Sequence, residues 1–565
     1  MSAGSFVLVL HGHMPWVVGH GRWPHGEHWL YEAALGVYLP LLGLVEELDA
    51  VGARAGFTLG MTPVLLEQLH HPRFQAGFAE YLEDRLRRAR QDAQDPALRP
   101  LAERWEGMLV SYRQRWQELD GDLVAGLAGH ARAGRIEILS SLATHAYAPL
   151  LLHDASIRGQ LAAGLATSER HLGFRPRGIW LPECAYRPAG PWTPPVLHGD
   201  ERIRLGVDQI MAEQGVTHFF VDAHLARGAL SEGIVQGGQF HKVGWEQAEQ
   251  DPGRWREVLE PQRVGSHGGM SEVVAFARHP QVSEQVWSGE VGYPGDGRYL
   301  EFHKKHGDDG LRYWRVTGRD IGLGGKEPYD PEAVPGAIHA HSQHFVHTVR
   351  DILRGHRQAT GREGCVVAPF DAELFGHWWH EGPRFLRDVL LSLHHDPEVT
   401  VQTAEERLAS HPPEIVVRLP EGSWGDGGDH RVWFRDTYRW VWETAYRAED
   451  RFLGLRWRAS QARGAQGRRA RRWLARTAQA LLLLQSSDWP FVISTGGAVD
   501  YGWQRICGHQ EAFDRCCQAV EDALAGRRSD ALLRAELRLL DMTDGWQTPV
   551  DPNWWQEHPP ADHSG

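Results

Sequence analysis

Cysteine is scarce and unpatterned: Cys184, Cys365, Cys507, Cys516 and Cys517 are odd in number and show no CxxC spacing. That excludes a disulfide framework and a zinc ribbon, and it fits a reducing cytoplasm. Long hydrophobic runs are missing as well. The LLLL at 481–484 is far too short to span a bilayer, and the opening MSAGSFVLVLHGHMPW, with no basic lead and a five-residue apolar run, falls short of a signal peptide. Positive charge is in deficit. With 60 Lys plus Arg against 73 Asp plus Glu, the net charge of −13 argues against a general affinity for nucleic acid or anionic membrane. A neutral or small polar substrate fits better. The basic run RRARRWLAR at 468–476 lies among acidic helices and reads as a solvated helix face.

What is present is an ordinary globular composition, 42% hydrophobic and 24% charged. At 565 residues the chain has room for two or more domains, or for one large barrel with additions. The unusual counts are 24 Trp and 33 His. Amphipathic rings suit ligands with apolar faces and polar rims, as sugars have, although about half of the tryptophans are expected in helical cores.

Apolar runs recur as FVLVLH (6–11), GFTLGMTP (56–63), IEILSS (136–141), RGIWLP (177–182), THFFVDA (217–223), SEVVAFA (271–277) and CVVAPF (365–370). Helical patterns separate them, which implies a parallel α/β architecture. Several of the runs end in a polar or charged residue, as barrel strands do. Residues 73–133 read as a helical insertion, and the Gly-, Gln- and charge-rich segment 224–269 as a mobile loop. The Gly-rich LPEGSWGDGGDHRVWF follows a boundary near 410, and long helices run from Thr437 to about Met542. The expected division is therefore a barrel over 1–410 and an all-helical C-terminal domain over 411–565.

Two carboxylate sites share one layout. In GIWLPECAYRPAG a buried strand gives way to Glu183, and in VVAPFDAELFGHWWHEGP another ends at Phe370 and is followed by Asp371 and Glu373. A barrel would bring both to one rim. Two carboxylates facing one pocket are what glycosidic chemistry requires, one as nucleophile or base and one as proton donor. The competing readings are a solvated loop for Glu183 and a helix N-cap for Asp371. HGHMPW sets His11 and His13 on one face. They would serve either as metal ligands, with His145, His341 and His344 in reserve, or as neutral hydrogen-bonding partners of sugar hydroxyls. A metal-dependent carbohydrate hydrolase or deacetylase and a non-catalytic glucan-binding protein are thus left open by these residues.

HGHMPW, EILSSLATHAYAPLL, WLPECAY, FDAELFGHWW and LPEGSWGDGG, in this order, closely resemble the five motif regions of glycoside hydrolase family 57. GRWPHGEHWLYEAALGVYLPLL and LLLLQSSDWPFVI extend the likeness to its 1,4-α-glucan branching subgroup and over nearly the whole chain. The resemblance implies a distorted (β/α)7 barrel completed by a helical domain, and a retaining transglycosidase with neither metal nor cofactor. By motif, Glu183 would be the nucleophile and Asp371 the general acid/base. His11, His13 and His145 would line the donor subsite, with Arg278 and Trp287 beside the nucleophile. Trp424 and Trp433 would grip the glucan, and Asp488 and Trp489 would stand near the site. The implied partner is α-1,4-glucan (amylose, amylopectin or glycogen), handled by a monomer in storage-glucan synthesis, with no nucleic acid or membrane. In one respect the chain departs from the subgroup, whose members carry a tyrosine on a mobile loop. Here no Tyr lies between Tyr186 and Tyr293, and either Phe240 or Trp245 would have to take its place, so the ratio of transfer to hydrolysis turns on this segment. An α-amylase or a 4-α-glucanotransferase would use the same carboxylates and differ in product linkage.

Overall fold

The computed structural model describes residues 2–557 except 198, 244–251, 267–268, 528–530, 533–534, 536–537, 539 and 541–543. All seven apolar runs are strands: β1 (Gly4–Gly12), β2 (Thr58–Met61), β3 (Glu137–Ser141), β4 (Ile179–Trp180), β5 (His218–Val221), β6 (Gly269–Ala277) and β7 (Gly364–Asp371). Every residue of β1 is buried, as expected of a parallel strand covered on both faces. Strands β7, β1, β2, β3 and β4 pair in that order, all parallel, and β5 pairs in parallel with β6. Two slender seams close the ring. A parallel bridge between Gly178 and His218 joins β4 to β5, and the His279 amide just past β6 donates to the Val367 carbonyl of β7 at 2.9 Å. The result is a distorted (β/α)7 barrel. Val7, Val9, Leu139, Trp180, Phe220, Phe276 and Val367 fill its interior from six of the seven strands.

Three helices, Pro72–Asp92, Arg99–Glu118 and Leu123–Arg132, occupy the excursion between β2 and β3. Segment 224–269 differs from the expected irregular loop. Leu230–Gln236, Gln239–Lys242 and Gln262–Ser266 are strands, and with Ile415–Arg418 they extend the sheet that begins with β5 and β6. The physical reason lies in Gly237–Gly238, both at positive φ, which make the tight turn of a hairpin. A glycine pair that suggests flexibility in composition is here a turn. Trp245 lies outside the described residues, and Phe240 is a half-exposed strand residue. Because Ile415–Arg418 pairs with strands on either side, the sheet also continues past residue 410.

Beyond it run the helices Arg439–Gln461, Gly464–Leu484, Asp488–Thr495 and Val499–Ala525; Met542, the expected end of this run, lies outside the described residues. In the basic stretch Arg468, Arg471 and Arg472 face outward while Ala470, Trp473 and Leu474 are buried, the pattern of a solvated helix face, except that Arg476 is buried and donates to the Asp544 carbonyl. No helix among the described residues is long and apolar enough to cross a membrane.

Helix Asp154–Leu172 packs so closely on β3 that a Cβ at Gly164 would stand 2.2 Å from the Ser141 carbonyl oxygen. Gly164→Ala should force helix and strand apart and cost about 2 kcal/mol. Calorimetry should show a lowered Tm; an unchanged Tm would remove this contact as a constraint on the barrel.

Candidate active site

Each barrel strand delivers a polar residue at its C-terminal end, where barrel enzymes place their chemistry. His11 lies at the end of β1 and His13 just past it, Thr62 follows β2, His145 β3, Glu183 β4, Asp222 β5 and Arg278 β6, while Asp371 closes β7 and Glu373 follows it. The register of β1 against β7 sets His11 directly beside Asp371.

Glu183 stands in the left-handed region at φ 61°, and Cys184 follows at φ 48°. Such backbone costs roughly 1–3 kcal/mol per residue and persists only where the surroundings impose it. Here they do. The loop after Ile415–Arg418 lies antiparallel on this turn through a Tyr186–Gly422 bridge. The Trp424 amide donates to the Glu183 carbonyl at 3.0 Å, and the Trp424 indole N–H donates to Glu183 Oε2 at 2.8 Å. Burial pushes the Glu183 carboxyl up to about 7, with the Trp424 hydrogen bond opposing and the charge of Asp488 adding.

The histidines form a stack. His11 lies on Trp180 with ring centroids 4.7 Å apart, and His13 and His145 are 3.9 Å apart and nearly parallel. Burial drives His11 and His145 well below the usual imidazole range, assisted by their neighbouring histidines, so both are neutral. Their tautomers follow from the hydrogen bonds. Ser487 Oγ donates to the His145 carbonyl at 2.5 Å and so accepts from His145 Nδ1–H at 3.1 Å. That leaves His145 Nε2 to accept from His11 Nε2–H at 3.1 Å. His13 Nε2–H donates to Asp488 Oδ1 at 2.9 Å, and its Nδ1 meets Thr62 Oγ1 at 3.0 Å. Burial would raise Asp488, but His13 and Ser486 hold it below the ordinary carboxylate range.

Burial pushes Asp371 well above the usual range, and the charges of Glu373 and Glu183 act in the same direction against Arg278. Arg278 itself is committed to Asp222, reaching its two oxygens at 3.1 and 2.6 Å, and its guanidinium lies 5.8 Å from the Trp424 ring.

Glu183, Asp371, Glu373, His11, His13, His145 and Asp488 line one cavity of about 650 Å³. Trp23, Trp378 and Phe491 stand in its wall 40–51% exposed, as free aromatic faces. Not every expected residue joins them. Trp433 is buried, stacked on Tyr147 and 6.4 Å from Phe491, so it supports the wall and presents no face to a ligand. Trp489 is buried against Tyr501 and Arg505. Trp287 is exposed but reaches the site only through Trp378, 6.5 Å away. Sequence reasoning missed Trp23, Trp378 and Phe491, which carry no signal apart from their motifs, and Asp222, which ends THFFVD just as Asp371 ends CVVAPFD.

The metal reading of the histidines is disfavoured by geometry. His13, His145 and Asp488 bring ligand atoms within 4.8 Å of one another, yet parallel rings stacked at 3.9 Å direct their lone pairs side by side and not at a common point. His341 and His344 are bonded to Tyr299 and Tyr293, both at 2.7 Å, and lie outside the cavity wall.

The folded Asp371 keeps its proton to higher pH than an unfolded aspartate, so its contribution to stability is complete below about pH 3.9 and is lost as pH rises through the folded value. Asp371→Asn removes that loss. Its Tm should exceed that of the parent by about 1–3 °C at pH 8 and converge with it at pH 4; a variant less stable at pH 8 would contradict the burial argument.

Residues 7–420 match the model for glycosyl hydrolase family 57, and residues 445–540 match the model described as 1,4-alpha-glucan branching enzyme, C-terminal. A 1,4-alpha-glucan branching enzyme of Thermococcus kodakarensis is 37% identical over 544 residues, covering 95% of this chain and 77% of that one. Its crystal structure with glucose and additives gives a TM-score of 0.88 at 36% identity, over 99% and 98% of the two chains. A probable 1,4-alpha-glucan branching enzyme of Mycobacterium tuberculosis is 34% identical, over 94% and 95%. An alpha-amylase of Thermotoga maritima shares the fold at a TM-score of 0.81 and 26% identity, over 98% and 99%. A match that runs from the first barrel strand through the last strand of the second sheet places this chain in glycosyl hydrolase family 57.

Proposed function

We propose that the chain is a 1,4-α-glucan branching enzyme acting by a retaining mechanism. The observation that carries the reading is the pair of buried carboxylates, Glu183 and Asp371, facing one cavity with their proton affinities set apart. In the first step the Glu183 carboxylate attacks the anomeric carbon of an α-1,4 linkage while protonated Asp371 gives its proton to the leaving 4-oxygen. The product is a glycosyl ester on Glu183. In the second step the 6-hydroxyl of another glucan gives its proton to the Asp371 carboxylate and its oxygen displaces Glu183, forming an α-1,6 branch with retained configuration. Asp488, oriented by His13, would accept from sugar hydroxyls at the donor position, and the stacked histidines would form its wall. Trp23, Trp378 and Phe491 offer platforms for amylose, amylopectin or glycogen chains.

A hydrolytic component is the second reading. Among the described residues, no side chain from 224–269 lines the cavity, so nothing described from that segment shields the glycosyl ester from water.

Proton NMR of amylose incubated with the purified protein separates the two. New α-1,6 signal in excess of new reducing ends is expected, with some reducing ends accompanying it; reducing ends alone would make the chain a hydrolase. Glu183→Gln should lower turnover by about 10³-fold or more, and an active variant would refute the nucleophile. Trp424→Phe removes a hydrogen bond from the ionised form of Glu183. The acid limb of kcat/KM, set by Glu183 at about 7, should therefore move to higher pH; an unmoved limb would detach Trp424 from the nucleophile.

A further inference from the structure

Glu373 is the third carboxylate in the cavity wall, and the two steps above give it no part. It sits in the single turn Ala372–Leu374 directly after β7 and is buried. Its Oε1 accepts the Tyr38 hydroxyl at 2.6 Å and the His13 amide at 3.3 Å. Tyr38 closes the helical turn Ala34–Tyr38 and is itself fully buried, while His13 lies just past β1. Glu373 therefore ties the exit of β7 to the exit of β1 and to the helix beyond it. Burial pushes the Glu373 carboxyl above its ordinary range, and the two donors directed at one oxygen, with the nearby His13, act against that rise and favour the ionised form. Among the described residues no lysine or arginine pairs with it, so the charge of its ionised form is held in place by the Tyr38 hydroxyl and the His13 amide.

We propose that Glu373 is a positioning residue for Asp371: held by Tyr38 and the His13 amide, its uncompensated charge keeps the proton on Asp371 at neutral pH. The proposal rests on the acid/base role assigned to Asp371 above. The groups facing Asp371 are Glu373 on its own turn, Glu183 and the Cys184 thiol, which burial keeps protonated, from the turn after β4, Arg278 from the end of β6 and His11 from β1. Arg278 acts in the opposite sense but is engaged by Asp222, and His11 is neutral. That leaves two carboxylates on Asp371, and they behave differently during the reaction. When Glu183 becomes a glycosyl ester its charge disappears, whereas the charge of Glu373 persists. In the second step Glu373 therefore maintains the basicity with which Asp371 takes the proton of the acceptor hydroxyl.

The test is the pH dependence of kcat/KM on amylose with the full chain. Glu373→Gln keeps the size of the side chain and an oxygen acceptor for Tyr38 and the His13 amide, and loses only the charge. Its basic limb should move down by about one pH unit, with kcat at pH 8 reduced about tenfold. Glu373→Asp retains the charge while disturbing the packing, so its rate should fall with the basic limb within about 0.3 unit of the parent. A Gln variant with the parental limb overturns the proposal. So does an Asp variant whose limb moves a full unit, and that result remains decisive if the Gln variant does not fold. Retained turnover in Asp371→Asn would instead overturn the acid/base assignment, and this role along with it.

Discussion

Two carboxylates buried in one cavity without a paired cation are the constraint around which the rest of the structure is arranged. Glu183 and Asp371 each resist ionisation because burial removes water from the charged form, and the charge of Glu183 makes ionisation harder still for Asp371. The arrangement costs stability, and the surroundings offset it unevenly. Glu183 receives an indole hydrogen bond, whereas Asp371 receives the field of a further carboxylate. Arg278, the nearest strong cation, is tied to Asp222 and does not pair with either. The proton affinities separate for that reason, and the proposed mechanism uses their separation to give two chemically similar side chains different tasks.

Holding the pair in place draws on parts of the chain remote from the barrel. Left-handed backbone at Glu183 and Cys184 is imposed by the loop carrying Trp424, which pairs with the turn through both backbone and side chain. The Ser486–Asp488 segment plays the same part for the histidine stack. Ser487 fixes the tautomer of His145, itself at positive φ, and Asp488 orients His13. The helices after residue 438 thus complete the rim of the site. Trp433 and Trp489, although buried, are part of that support, packing beneath Tyr147 and Phe491 in one case and against Tyr501 in the other.

Much of this was legible in the sequence. The seven apolar runs were identifiable as strands because parallel barrel strands are buried on both faces and leave continuous hydrophobic stretches. The carboxylates were identifiable because each follows directly on such a run. The hairpin at 230–242 was hidden by its own turn, since paired glycines raise the apparent flexibility of a segment that they in fact fold back on itself. The buried tryptophans were misjudged for a different reason. A motif places a residue near a site, but it does not say which face of the loop points inward.

The sequence by itself determined the strand series, the two carboxylate-bearing strand ends and the HGH pair, because hydrophobic periodicity and adjacency along the chain are local properties. Only the tertiary structure decided how those ends meet: the slender seams that close the ring, the hydrogen bond from Trp424 to Glu183, the engagement of Arg278 by Asp222, and the tie from Glu373 to Tyr38 and the His13 amide beside Asp371. Proton affinity depends on burial and on charges brought close from distant parts of the chain, and neither exists until the chain has folded.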